Sequence, residues 1–257
     1  EGIMKTDTVY SADQLDVNKR GVVTSHSFFS HGGFYDAERI QFGTLRLLNN
    51  NYYNGLGKCA LQYHRDLEVL IIPLSGAIEY TDNRANCCII PKGNFIAISA
   101  GSGLEYAINS STQKEPVHYI KLWFLPKKRG LTPHHSIHTI DTDLLHNMFY
   151  YLVSPVRNSK EMATLNQDAW VALSELMAKT KLTYHKKNST NGIFIRVCDG
   201  EIKVRGHYLM AGDSIAFEDK DNLIIEGVKK ALFLLLEVPM NVTLYNSDET
   251  ITIPPKL

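Results

Sequence analysis

Little in this chain points away from an ordinary reducing, water-filled compartment. Four cysteines in 257 residues are too few and too scattered for a disulfide framework, so reduced thiols and a cytoplasmic location are expected. Charge of either sign is not in excess, with 27 basic and 27 acidic residues. That balance gives no reason to expect nucleic acid or an anionic membrane as partner. No basic run exceeds Lys127-Lys128-Arg129, and apolar runs such as Ala231–Leu236 are far too short to span a bilayer. No early apolar segment reads as a signal peptide; Met4 is expected to be the native start and Glu1–Ile3 a tag remnant. A phosphate-binding glycine loop, a hydrolase elbow and paired metal-binding Cys motifs are all missing, and Gly32-Gly33 reads as a turn.

Helical periodicity is scarce too. Thr142–Val153 has an apolar stripe (Leu144, Leu145, Met148, Phe149, Leu152) that predicts one helix ended by Ser154-Pro155. The rest is dominated by short β-branched and aromatic runs between Gly, Asn and Asp. Phe42–Leu48, Leu67–Leu74, Ala77–Tyr80, Asn94–Ser99, Tyr119–Leu125 and Trp170–Leu176 are predicted strands. So are Ile193–Cys198, Glu201–Val204, Ser214–Phe217, Leu223–Glu226 and Ala231–Val238. Strands this short and close predict antiparallel barrels or sandwiches.

One pattern occurs twice. Val69–Ser75, Gly76, Ala77–Tyr80 and then Ile90-Pro91-Lys92-Gly93-Asn94 is matched by Ile193–Asp199, Gly200, Glu201–Val204 and then Leu209-Met210-Ala211-Gly212-Asp213. In each copy a strand meets a turn glycine, a second strand follows, and a Gly-Asn or Gly-Asp turn opens a third. This is the rhythm of a cupin barrel. The expected fold is an all-β bicupin, two antiparallel jelly-roll-like β-barrels with few short helices. The expected domains are 1–140 and 141–257, divided after the stretch Leu131–His138.

The N-terminal half resembles the pirin family of bicupins. The resemblance rests on Ser27–Ser30, Phe34–Asp36, Phe42–Arg46 with Asn49, His64–Leu70, Leu74–Gly76, Ser99–Gly103, Leu122–Pro126 and Asn166–Asp168. It implies a single divalent metal in the N-terminal barrel. The usual ligands are a His-x-His strand and a later His and Glu two residues apart, after an Ala-Gly-x-Gly turn. Some members are quercetin 2,3-dioxygenases, others nuclear cofactors of transcription. Here the four ligand positions fall on Gln62, His64, Tyr106 and Ile108. Gln62 and His64, two apart, share one face of a strand.

Only His64 is a standard ligand, and a catalytic iron site needs about three strong protein donors. The expectation is therefore a degenerate site with no cofactor and no enzyme activity. Gln62, His64 and Tyr106 would then form a hydrogen-bonded polar cluster. The barrel would bind a small molecule, or the protein would act in redox response or protein interaction. The alternative is a quercetin 2,3-dioxygenase with an unusual ligand set and one Fe, Ni, Mn or Cu held through His64.

Secondary candidates have plainer readings beside them. Glu68 has the parity of His64 and reads as a salt-bridged structural carboxylate. Glu105, next to Tyr106, points to the opposite face. Cys87-Cys88 are possible redox thiols, of which alternation leaves at most one accessible; inert filler is the commoner role. Parity with Gln62 sends Cys59 away from the pocket. His134, His135 and His138 are expected on an exposed inter-domain loop, and His118 in packing or hydrogen bonding. His26, His31 and His207 have no partner legible in sequence.

Overall fold

The computed structural model describes residues 7–31, 35–37, 39–54, 57–112, 116–156 and 162–241. In the first half, the strands are β1 Thr8–Tyr10, β2 Asp16–Arg20, β3 Val23–Ser27, β4 Leu45–Tyr53, β5 Gln62–His64, β6 Glu68–Ser75, β7 Ala77–Asp82, β8 Cys87–Pro91, β9 Asn94–Ser99, β10 Leu104–Ser110, β11 Val117–Phe124 and β12 His134–Thr139. The second half contributes β13 Tyr150–Val153, β14 Trp170–Leu176, β15 Lys181–His185, β16 Asn191–Asp199, β17 Glu201–Val204, β18 His207–Met210, β19 Ser214–Phe217, β20 Asn222–Gly227 and β21 Ala231–Pro239. All named strand pairs are antiparallel. Helical structure among the described residues is limited to two 3₁₀ turns, Ala12–Gln14 and Thr142–Leu145.

Each half pairs a large sheet with a small one. The first half has the order β12-β9-β6-β11-β4-β3-β2 facing β5-β10-β7-β8, and the second β1-β19-β16-β21-β14-β13 facing β15-β20-β17-β18. The sequence repeat is visible in this order, since β9-β6-β11 corresponds to β19-β16-β21. The turn glycines of the two copies, Gly76 and Gly200, have φ of 68° and 77°. That is left-handed backbone, which a Cβ disfavours. β1 crosses over and pairs with β19 in the sheet of the second half, through Thr8↔Ala216 and Tyr10↔Ser214.

Strand alternation explains why the central strands read as continuous apolar runs. On β6, Val69 and Ile71 enter the N-terminal barrel, whereas Leu70 and Ile72 enter a core between the two large sheets. On β21, Phe233 and Leu235 fill the C-terminal barrel, and Leu234, Leu236 and Val238 fill the shared core. Both faces are covered, so neither tolerates polar residues. Phe194 sits at the centre of the shared core, with ring centroids of Tyr10, Phe28, Phe29 and Phe42 at 5.7, 6.2, 5.8 and 5.7 Å.

Two sequence expectations are corrected. Thr142–Val153 is not one helix. Asp141 accepts a hydrogen bond from the Asp143 amide and caps a single 3₁₀ turn. Asn147 then turns with φ of 55°, and Tyr150–Val153 pairs with β14. Leu144 and Met148, counted in the apolar stripe, are exposed; the β-prone residues from Tyr150 onward win by completing a sheet. His134–His138 is not a loop but the edge strand β12, in register with β9 from His134↔Ser99 to Thr139↔Asn94.

Candidate ligand pocket of the N-terminal barrel

Alternation on the inner strands builds one cavity of about 300 Å³. Ile120, Leu122 and Phe124 of β11 face the shared core, which turns Tyr119, Lys121 and Trp123 into the barrel. Leu47, Asn49 and Asn51 of β4 line the cavity by the same rule, and Lys121 lies directly opposite Asn49. The facing sheet contributes β5 and β10, with Gln62 directly opposite Tyr106 and His64 opposite Leu104.

These registers bring together the four positions to which the resemblance assigns the family's ligands. Gln62, Tyr106 and Ile108 line the cavity, Gln62 at its exposed rim and the other two buried. His64 packs behind them, its ring centroid 4.8 Å from Tyr106 and 5.2 Å from Trp123. The expected hydrogen-bonded trio does not form. The buried His64 Nε2 and Tyr106 Oη make no hydrogen bond to each other or to Gln62; tilted ring packing holds the two side chains together instead, and the polar neighbour of Tyr106 Oη is the Trp123 indole.

The group they surround is Lys121. Its Nζ lies 5.2 Å from the ring centroids of both Tyr106 and Trp123, within cation–π range. It makes no ion pair or hydrogen bond among the described residues, and no Asp or Glu lines the cavity. Burial pushes the Lys121 amine down to about 8. Burial, and then Lys121 itself, pushes His64 down to about 3, while burial and Lys121 take His31 to about 4. Both imidazoles are therefore neutral at pH 7. Burial raises the Tyr106 hydroxyl well above the ordinary phenol range, so it stays protonated.

Other candidates lie elsewhere. Glu68 is structural but hydrogen-bonded rather than salt-bridged: its carboxylate accepts from Ser99 Oγ at 2.8 Å and from the Asn166 amide at 3.1 Å. Glu105 points outward and accepts from Asn83 at 3.4 Å. Cys87 is exposed and Cys88 half-buried on the edge strand β8, with Cys88 Sγ 4.0 Å from His135 Nε2. His118 stacks on Tyr52 at 4.3 Å and sits 3.2 Å from Asn50 Oδ1.

Cys59 corrects the parity argument. It lies in the irregular stretch before β5, where alternation does not apply, and it lines the cavity. His31, Arg20, Lys58 and Lys121 line it as well. Only Lys121 carried a sequence signal. It is the one charge in the otherwise apolar run Tyr119–Leu125, at the parity of Trp123.

Comparison with known proteins agrees with this architecture. A family model described as "Pirin" matches residues 12–124, and one described as "Quercetinase C-terminal cupin domain" matches residues 151–238. The chain belongs to the pirin family of bicupins. Among curated relatives of this pirin-family chain, a quercetin 2,3-dioxygenase of Escherichia coli (strain K12) is 24% identical over 219 residues, covering 85% of this chain and 93% of the relative. A pirin-like protein of Caulobacter vibrioides is 24% identical over 225 residues, with 88% and 96% covered. The structure of the bacterial pirin YhhW from Escherichia coli in complex with nickel(II) superposes with a TM-score of 0.85 at 21% identity, over 91% of this chain and 99% of that one. A quercetin 2,3-dioxygenase from Acinetobacter baumannii superposes at 0.73 with 16% identity, over 91% and 86%. At these identities the likeness speaks for the fold alone.

Proposed function

We propose that this pirin-family bicupin has a degenerate metal site, and that its N-terminal barrel is a metal-independent pocket for a small molecule. The observation that carries this reading is Lys121, whose ammonium lies between Tyr106 and Trp123 among the positions where the family keeps its ligands. The residues do not fit a resident divalent ion. One imidazole, one neutral amide, one phenol held protonated by burial and one alkyl side chain form a poor donor set. A half-buried cation beside them adds like-charge repulsion in a medium that screens less than bulk water. No carboxylate on the cavity wall offsets it.

The competing reading is a quercetin 2,3-dioxygenase with an unusual site. One observation favours it: the Ala100–Gly103 turn is kept, with Gly101 at φ of 47° and the Gly103 amide bonded to the Ala100 carbonyl at 3.0 Å. The turn aims β10 as a ligand strand would need. Oxygen uptake with quercetin, on protein incubated in turn with iron(II), nickel(II), manganese(II) and copper(II), separates the two. We expect uptake no faster than metal and quercetin alone. Faster uptake that is abolished by His64→Ala would establish the enzyme and overturn the binding reading.

A further inference from the structure

The cavity also says what kind of molecule it takes. Buried polar atoms in folded proteins are ordinarily paired. Among the described residues nine buried side-chain atoms lack a well-formed hydrogen bond, and four of them, Asn49 Oδ1, His64 Nε2, Tyr106 Oη and Trp123 Nε1, lie in or against this one cavity, the last two with no polar neighbour but each other. The unpaired Lys121 ammonium is held among them. Such a concentration of unmet hydrogen-bonding capacity around a half-buried cation would be costly if nothing bound there.

The sign of the charge fixes the class. Lys121, Arg20 and Lys58 line the cavity, and no acid does. Lys58 is tied at the surface to Glu79 at 3.3 Å and Arg20 is exposed, which leaves Lys121 as the inner positive charge. The walls beside it are the rings of Tyr106, Tyr119 and Trp123. These are surfaces against which a flat apolar body packs. A small anion without a ring would leave them uncovered, and a neutral ring would leave the ammonium unmatched.

We propose that the N-terminal barrel binds a small aromatic carboxylate. Lys121 supplies its counter-charge, and the Trp123 indole N–H and Tyr106 hydroxyl donate hydrogen bonds to its carboxylate oxygens. Asn49 Oδ1, directly across from Lys121, remains to accept from a hydroxyl or protonated group on the same molecule. The inference rests on the reading of the barrel as a metal-independent pocket and names the ligand class of that pocket.

Calorimetric titration of EDTA-treated protein with benzoate and with its uncharged analogue benzamide tests this. Benzoate is expected to bind tighter by on the order of tenfold or more, as one well-placed charge contact supplies. Lys121→Gln should bring the two probes to similar affinity by weakening benzoate alone, whereas Lys121→Arg should keep the preference. Benzoate no tighter than benzamide in the wild-type protein overturns the inference without need of any variant. So does a preference that survives Lys121→Gln, or benzoate binding that appears only after nickel(II) is added. If benzamide binds and benzoate gains nothing, the pocket stands and its anionic ligand does not. If neither probe binds, both readings fail together.

Discussion

Among single residues, Lys121 sets the character of the N-terminal barrel. A half-buried ammonium with no counter-ion costs stability, so Lys121→Met, which keeps most of the aliphatic stem, should stabilise the protein. An increase of about 1–3 kcal/mol in urea unfolding is expected, the range set by the displacement of the amine from its ordinary value. A destabilised Lys121→Met would mean that the amine has a partner in the folded protein. The resemblance to the family singles out Gln62, His64, Tyr106 and Ile108, and strand parity alone is enough to gather them. Lysine is no metal ligand, so the same motif passes over Lys121, although its place between Tyr119 and Trp123 is written in the chain. Cys59 and His31 were not legible, because irregular backbone brings them to the cavity. His118 gives a second test. Burial, with Arg196 next, pushes its imidazole down to about 4. The unfolded chain then binds the extra proton first, so stability is complete above about pH 6.5 and falls as pH drops toward 4. Thermal melts of wild type should lose stability over that window, and those of His118→Gln should lose less. An equal loss in both would contradict the assignment.

At the scale of elements, β5 and β10 hold the ligand positions and β11 holds the charge between them. The register Gln62↔Tyr106 implies that the family's ligand set can be rebuilt. Gln62→His, Tyr106→His and Ile108→Glu combined with Lys121→Gln should bind nickel(II) stoichiometrically in calorimetry. The same triple change with Lys121 retained should bind it at least about tenfold more weakly, from one like charge at close range. A folded quadruple variant that binds no nickel would show that these side chains do not converge. Strands with clean alternation, such as β7 and β17, were readable from sequence because each keeps one buried face. The edge strand β5 was legible only through the His-x-His position that the resemblance supplies, since three residues make no pattern of their own, and β12 was not legible because its histidines carry no apolar period. The helix expected at Thr142–Val153 failed for the opposite reason. Its apolar spacing fits a helix, but sheet pairing with β14 decides between two local patterns that the chain itself leaves balanced.

At the scale of the molecule, the two barrels are joined by an apolar core rather than a polar seam, and β1 crosses from one half into the sheet of the other. Phe194→Ala should therefore cost about 3–5 kcal/mol, as large core truncations do, and should lower a single unfolding transition that includes both barrels. Two separated transitions in calorimetry, with only the second shifted, would contradict the shared core. The twofold repeat was legible because its turn glycines recur with their strands, whereas the crossing of β1 leaves no local trace in sequence. If Lys121 holds the place of a metal in the N-terminal barrel, the barrel retains no metal ion. The most direct test is the metal content, by plasma mass spectrometry, of protein purified without chelator, incubated with iron(II), nickel(II), manganese(II) or copper(II) and then desalted. Well under one metal per chain is expected in every case, unchanged by His64→Ala. One tightly held metal per chain, lost in His64→Ala, would contradict it.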